Sequence, residues 1–209
     1  MALTAANVRV GAGRIFMDVT SPALGVALNI GATGIPSTGG GDVEVGLTEG
    51  EAIFTYEVSY FEVMAEQSLA SIEVFAHEEM AQLEFTMKEY ITANIDDFFN
   101  GLTNQATVAA PGSADTIRLH EGGRILGQAS AAGEVTLQSV CLIAPIPNTS
   151  SVNQRFTYVI LHQAYQSEAA AARYSKSGDT LMKVTFKAIA DLTRGDTATL
   201  FTLGIEANP

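Results

Sequence analysis

The sequence predicts a mainly β fold, a β-sandwich or partly closed β-barrel, with one flanking α-helix and a long glycine-rich loop. Three observations carry that reading. Apolar and polar residues alternate with period two over Ala52–Tyr60 and again over Ala81–Lys88, which turns one strand face to a core and the other to water. Gly25, Gly31, Gly34, Gly39, Gly40, Gly41 and Gly46, with Pro22 and Pro36, crowd the stretch before Gly50 and interrupt any periodic pattern. Around residues 91–102 the apolar spacing switches to that of a helix. The 209 residues suit one domain spanning 1–209, and 47% apolar against 16% charged residues excludes intrinsic disorder.

Each element follows from its local chemistry. Val8–Val10 and Arg14–Asp18 read as short strands about a turn at Gly11-Ala12-Gly13, which lacks the third glycine and the helix of a dinucleotide-binding loop. Residues 24–50 are too many for an ordinary connection. They are either a free loop or a segment that orders against a neighbouring subunit, with Leu24, Ile30, Ile35 and Val43 as its apolar contact candidates. After Ala52–Tyr60, two shorter extended pieces, Phe61–Met64 and Ile72–Phe75, lead into the strand at Ala81–Lys88. Thr92 as N-cap, Asp96 and Asp97 in the early turns and Gly101 at the end bound a helix over 92–101. Its stripe of Ile91, Ile95, Phe98, Phe99 and Leu102 packs on the sheet. Thr116–His120 and Arg124–Gln128 flank Glu121-Gly122-Gly123 as a hairpin. Glu134–Ile146 and Arg155–Gln163 are longer strands, and Ser167–Arg173 has the composition of a short helix. Thr180–Ile189 and Thr199–Ile205 complete a set of eight to ten strands.

Charge is distributed unevenly. The formal net charge is −12, from 23 acids and 11 bases. Between Ile15 and Ile117 stand sixteen carboxylates and one base, Lys88, a local net of −15; the remainder holds ten bases and seven acids, a net of +3. A polyanion is repelled by the first segment, so a nucleic-acid-binding surface is excluded there. Acidic strands without basic neighbours forgo cross-strand ion pairs, a loss that selection for a non-adhesive wall along a DNA conduit explains.

The chemistry of catalysis is missing from the pattern. His77-Glu78-Glu79-Met80-Ala81 opens like a zinc-protease helix but carries alanine where the second ligand belongs. There is no Gly-x-Ser-x-Gly elbow, no phosphate-cradling Gly-x-x-x-x-Gly-Lys loop and no Asp-x-Asp-x-Asp calcium loop. The reading is therefore not an enzyme, with no catalytic, cofactor or metal residues and no cofactor. Cys141, the single cysteine, excludes an internal disulfide and reads as a buried core residue. No apolar run reaches the ~20 residues of a membrane span. The first residues lack the pattern of a secretory signal, so synthesis in a cytoplasm is expected.

Several stretches carry a resemblance. Val45-Gly-Leu-Thr-Glu-Gly-Glu-Ala-Ile-Phe-Thr-Tyr56 continuing to Ala65-Glu-Gln-Ser68, Ile72-Glu-Val-Phe75 and Met80–Tyr90 followed by the helical stretch 92–101 are similar to the tail tube (major tail) proteins of tailed bacteriophages. So are Tyr174-Ser-Lys-Ser177 and the ending Leu181-Met-Lys-Val-Thr-Phe-Lys-Ala-Ile-Ala-Asp191. The similarity covers roughly two-thirds of the chain and rests on strand pattern rather than on an invariant motif. It implies homo-hexameric rings whose inner strands join into one barrel and which stack into a hollow tube of the virion. It also implies contacts of residues 24–50 with the next ring and a negative lumen that the DNA crosses without specific binding. Partners would be further copies of the chain and other tail proteins: tape measure, terminator and baseplate or tip. On this reading Glu57, Glu62 and Glu84 are the lumen-facing candidates. Arg14, Arg118, Arg124 and Arg155 are the candidates for charge contacts between subunits. The competing expectation is a non-enzymatic virion decoration or receptor-binding β-domain.

Overall fold

A computed structural model describes residues 13–23, 25–31, 33–37, 43–46, 48–64, 71–88, 103–104, 108–109, 116–117, 120–121, 137–146, 155–168, 171–173, 181–195 and 199–205. Its strands are β1 (Arg14–Met17), β2 (Val43–Glu44), β3 (Thr48–Met64), β4 (Ser71–Met87), β5 (Thr103–Asn104), β6 (Val108–Ala109), β7 (Thr116–Ile117), β8 (His120–Glu121), β9 (Gln138–Ile146), β10 (Arg155–Gln166), β11 (Ala171–Arg173), β12 (Leu181–Ile189) and β13 (Phe201–Ile205). Nine of these form one antiparallel sheet in the order β2-β1-β9-β10-β12-β4-β3, with β11 beside β12 and β13 beside β10. The terminal strands β2 and β3 do not pair with each other, so the sheet is open. The protein is mainly β, as its alternating sequence predicts. The helix expected at 92–101 lies outside the described residues; among these, the helical element is a 3-10 turn at Leu192–Arg194.

The sheet turns at β10. Residues 157–161 of that strand pair with β13, whereas residues 163–166 pair with β12, and the register against β9 shifts between Leu161 and Ala164. A bulge of this kind bends a strand and increases its twist. The bend brings Ile15, Met17, Val140 and Leu161 from one half into a single core with Leu83, Phe85, Val184 and Phe186 from the other. Ala81, Leu83, Phe85 and Met87, the alternating residues of β4, are all buried in it.

β1, β9 and β10 are apolar on both faces because each has a second layer to pack against. Phe16, Cys141, Ile143, Phe156, Tyr158 and Ile160 point away from the first core. They are covered by Val19, Leu28 and Ile30 from the glycine-rich stretch. That stretch is held by specific bonds. The Leu28 amide donates to the Tyr158 hydroxyl (2.9 Å), and Gly31 N and Ser37 N donate to the carbonyls of Ile35 and Asn29. Gly34 adopts φ +76°, and a Cβ there would come within 2.9 Å of the Phe156 ring, so glycine is required on two counts.

One expectation is corrected. The alanine run ending at Arg173 is not a helix where described: Ala171–Arg173 is β11, paired with Lys183, Met182 and Leu181 of β12. Helix propensity is a weak preference, and the run lacks an apolar stripe to anchor a helix, so the open edge of β12 wins. The second strand of the hairpin expected about Glu121-Gly122-Gly123, at 124–128, lies outside the described residues. Glu121 and His120 pair back to Thr103 and Asn104, while Thr116 and Ile117 pair with Ala109 and Val108. The turn chemistry of Pro111-Gly112 lies between those partners in the sequence and is the signal for that pairing.

Candidate assembly surface

β3 and β4 are each 17 residues long and form a hairpin much longer than the core it serves. Near its root, Leu83 and Phe54 pair across the hairpin and Phe54 packs on Phe201, ring centroids 5.0 Å apart. Beyond Val58 and Met80 the described side chains of both strands are exposed on both faces, making a projecting arm. β4 bulges in this arm: Ser59 faces Glu78 but Tyr60 faces Ala76, leaving His77 as the extra residue. The arm exposes Tyr60, Phe61, Val63, Val74 and Phe75, and Phe61 stands directly opposite Phe75. β3 pairs only with β4, so its outer edge is open among the described residues.

The register sorts the acidic candidates. Glu57 pairs with Met80, Ser59 with Glu78 and Ile53 with Glu84, so Glu57, Glu78 and Glu84 occupy one face, turned away from the core. Glu62 falls on the opposite face with Val58 and Tyr60. Glu57 and Glu62 are exposed; Glu84 is half-buried. Glu84 forms an ion pair with Lys183 of β12 at 2.9 Å, which raises the lysine pKa. Lys187 lies on that same face, opposite Gln82. The absence of basic neighbours expected for the acidic strands therefore does not hold at Glu84. Both lysines come from β12, about a hundred residues away in sequence, so a count along the chain does not see them. On the described arm itself the acids Glu57, Glu62, Glu73, Glu78 and Glu79 stand without a lysine or arginine among them.

The remaining candidates divide between the chain's own fold and its surface. Ile30 is buried on Phe156 and its neighbours, and Val43 packs against the main core, which leaves both little surface for a second subunit. Ile35 is exposed. Arg14 is held within the chain. Its Nε and Nη2 reach both oxygens of Glu44 at 2.6 and 2.5 Å, its Nη1 donates to the Thr33 carbonyl at 2.7 Å, and its guanidinium lies 5.2 Å from the Phe16 ring centre. Arg155 starts β10 and is half-buried. Leu24, Arg118 and Arg124 lie outside the described residues.

Arg14 thus clamps β2 and the 31–37 turn onto β1. Its replacement by methionine is expected to cost about 1 kcal/mol, since the fork is well formed but partly exposed. Amide hydrogen exchange at residues 33–37 should accelerate more than at residues 83–87. Equal protection in both variants would show that the clamp contributes nothing.

Among the described residues no group of three or more histidine, cysteine or carboxylate side chains is placed to hold a metal ion. No helix there is long and apolar enough to cross a membrane. The sequence missed Phe61 and Phe75 as surface residues, although aromatics on both faces of an acid-flanked strand already signal a ribbon without a water-facing side. No protein-family model and no curated protein sequence matches this chain.

Proposed function

We propose that this chain is the structural subunit of a phage tail tube, in which homo-hexameric rings stack into a hollow tube with an acidic lumen that conducts the DNA. The observation that supports it best is the hairpin arm. An isolated two-stranded ribbon is marginal in water, and this one, among the described residues, leaves apolar side chains on both faces and both edges open. Such an element is built to be covered by a neighbour. Its carboxylates, with no lysine or arginine among the described arm residues, suit a surface past which DNA must slide without sticking. In this reading Glu57 and Glu62 act on opposite faces of the arm, and Glu84 contributes less because Lys183 neutralises it.

Negative-stain images of concentrated protein should show six-fold rings and stacked tubes. Globular particles at every concentration and ionic strength would favour the decoration or receptor-binding reading instead. In a phage whose tube is built from this chain, Glu57→Lys with Glu62→Lys should leave the melting temperature nearly unchanged and reduce genome delivery at least tenfold. Normal infection by assembled variant tubes would remove these residues from the lumen.

A further inference from the structure

A second apolar feature lies at the root of the arm. Phe54, Leu142, Ala144, Thr157, Val159 and Leu203 line an open cavity of about 370 Å³. Beside it the sheet face continues through Ile205, paired with Thr157, and Leu203 and Ile205 are 58% and 52% exposed. A contiguous apolar patch with an open depression is a surface kept for a partner.

We propose that the Phe61–Phe75 pair of one copy seats in this cavity of a second copy. The inference rests on the tail-tube reading and names which two surfaces of the subunit meet. Phe61 and Phe75 stand side by side on one face of the arm and are 61% and 49% exposed, so together they present an apolar knob. The knob cannot enter its own chain's cavity. Phe54, which lines that cavity, lies seven residues before Phe61 on the same strand, about 23 Å away in extended chain. Pairing with β4 holds the intervening strand extended. A Phe61–Phe75 pair seated in this cavity must therefore come from another copy.

Charge agrees with this match. Glu73 lies on the same arm face as the knob, paired with Val63. Among the described residues the cavity lining holds no charged side chain, and Arg155 lies on its face of β10, one pleat repeat before Thr157. An acidic arm therefore approaches an apolar seat with a base at its border, whereas a nucleic acid or an anionic membrane would be repelled by the arm. Knob and seat are different surfaces, so the contact is head-to-tail; repetition closes into a ring or propagates as a filament.

The test is a double variant, Phe61→Cys with Leu203→Cys, both at exposed positions, concentrated under mild oxidation. A ladder of disulfide-linked oligomers on non-reducing gels is expected, with each single variant stopping at dimer or below. Rings or tubes in images without a ladder would overturn the seat and leave the tail-tube reading standing. A monomer at every concentration would overturn both. As a second measurement, Phe61→Asp with Phe75→Asp should abolish association in sedimentation while circular dichroism and melting temperature stay unchanged. Normal assembly of that variant would also overturn the seat.

Discussion

Phe186→Ala is expected to destabilise the protein by about 3–5 kcal/mol, the largest loss among its single aromatic truncations. Phe186 lies on β12, is 1% exposed, and stacks on Phe85 with ring centroids 6.1 Å apart and planes within 14°. Its backbone pairs with Leu83 on one side and Gln166 on the other, where β12 joins the two halves of the sheet. Removing the ring deletes transfer energy and leaves a void walled by β-ladder backbone that cannot collapse to fill it. Phe61→Ala is the control, because the arm ring touches water and its loss should cost the monomer no more than about 0.5 kcal/mol. Urea unfolding of both variants checks the contrast. A Phe186→Ala midpoint within error of Phe61→Ala would mean that the two halves of the sheet do not depend on their shared core.

The residues that set this contrast show how far the sequence can be read. The burial of Leu83, Phe85 and Met87 follows from strict alternation, because a strand with one wet face leaves a period-two record. β10 leaves no such record. Phe156–Leu161 is apolar on both faces, and only the structure shows that residues 19–30 supply the second cover. That cover was legible as a glycine-rich excursion, but Gly34 is there to admit the Phe156 ring, a close approach invisible in one dimension. Counting along the chain singles out the acidic strands but cannot see β12 bring Lys183 and Lys187 to the face of Glu84. Alternation assigns Glu57 and Glu62 to opposite faces, and the hairpin register keeps them there.

Acidification provides the second large effect, and it acts at the point where the excursion is tied to the sheet. His162 is 4% exposed, its Nδ1 lies 2.9 Å from Ser21 Oγ, and its Nε2 lies 3.0 Å from Thr202 Oγ1. Next to it, Arg194 Nη2 donates to the Pro22 carbonyl at 2.7 Å, and Asp191 accepts from Thr193 N and Oγ1. Burial, reinforced by the Arg194 charge and only partly offset by Asp191, lowers the His162 pKa to about 4. An unfolded histidine binds its proton near pH 6.5, so the folded state is the one that resists protonation. Its contribution is fully present above pH 6.5 and is lost progressively as the pH falls to about 4. Allowing for partial solvation, the loss amounts to roughly 2–3 kcal/mol. The lowered pKa of Asp191 acts in the same direction, but below the usual aspartate range, so the two windows separate. His162→Gln keeps a hydrogen-bonding group between the two hydroxyls and cannot titrate. Urea midpoints measured at pH 7.5, 6.5, 5.5 and 4.5 should fall steeply for the natural protein and much less for the variant. Parallel curves would show that acid lability comes from the carboxylates, and that Ser21 is not held by a neutral imidazole.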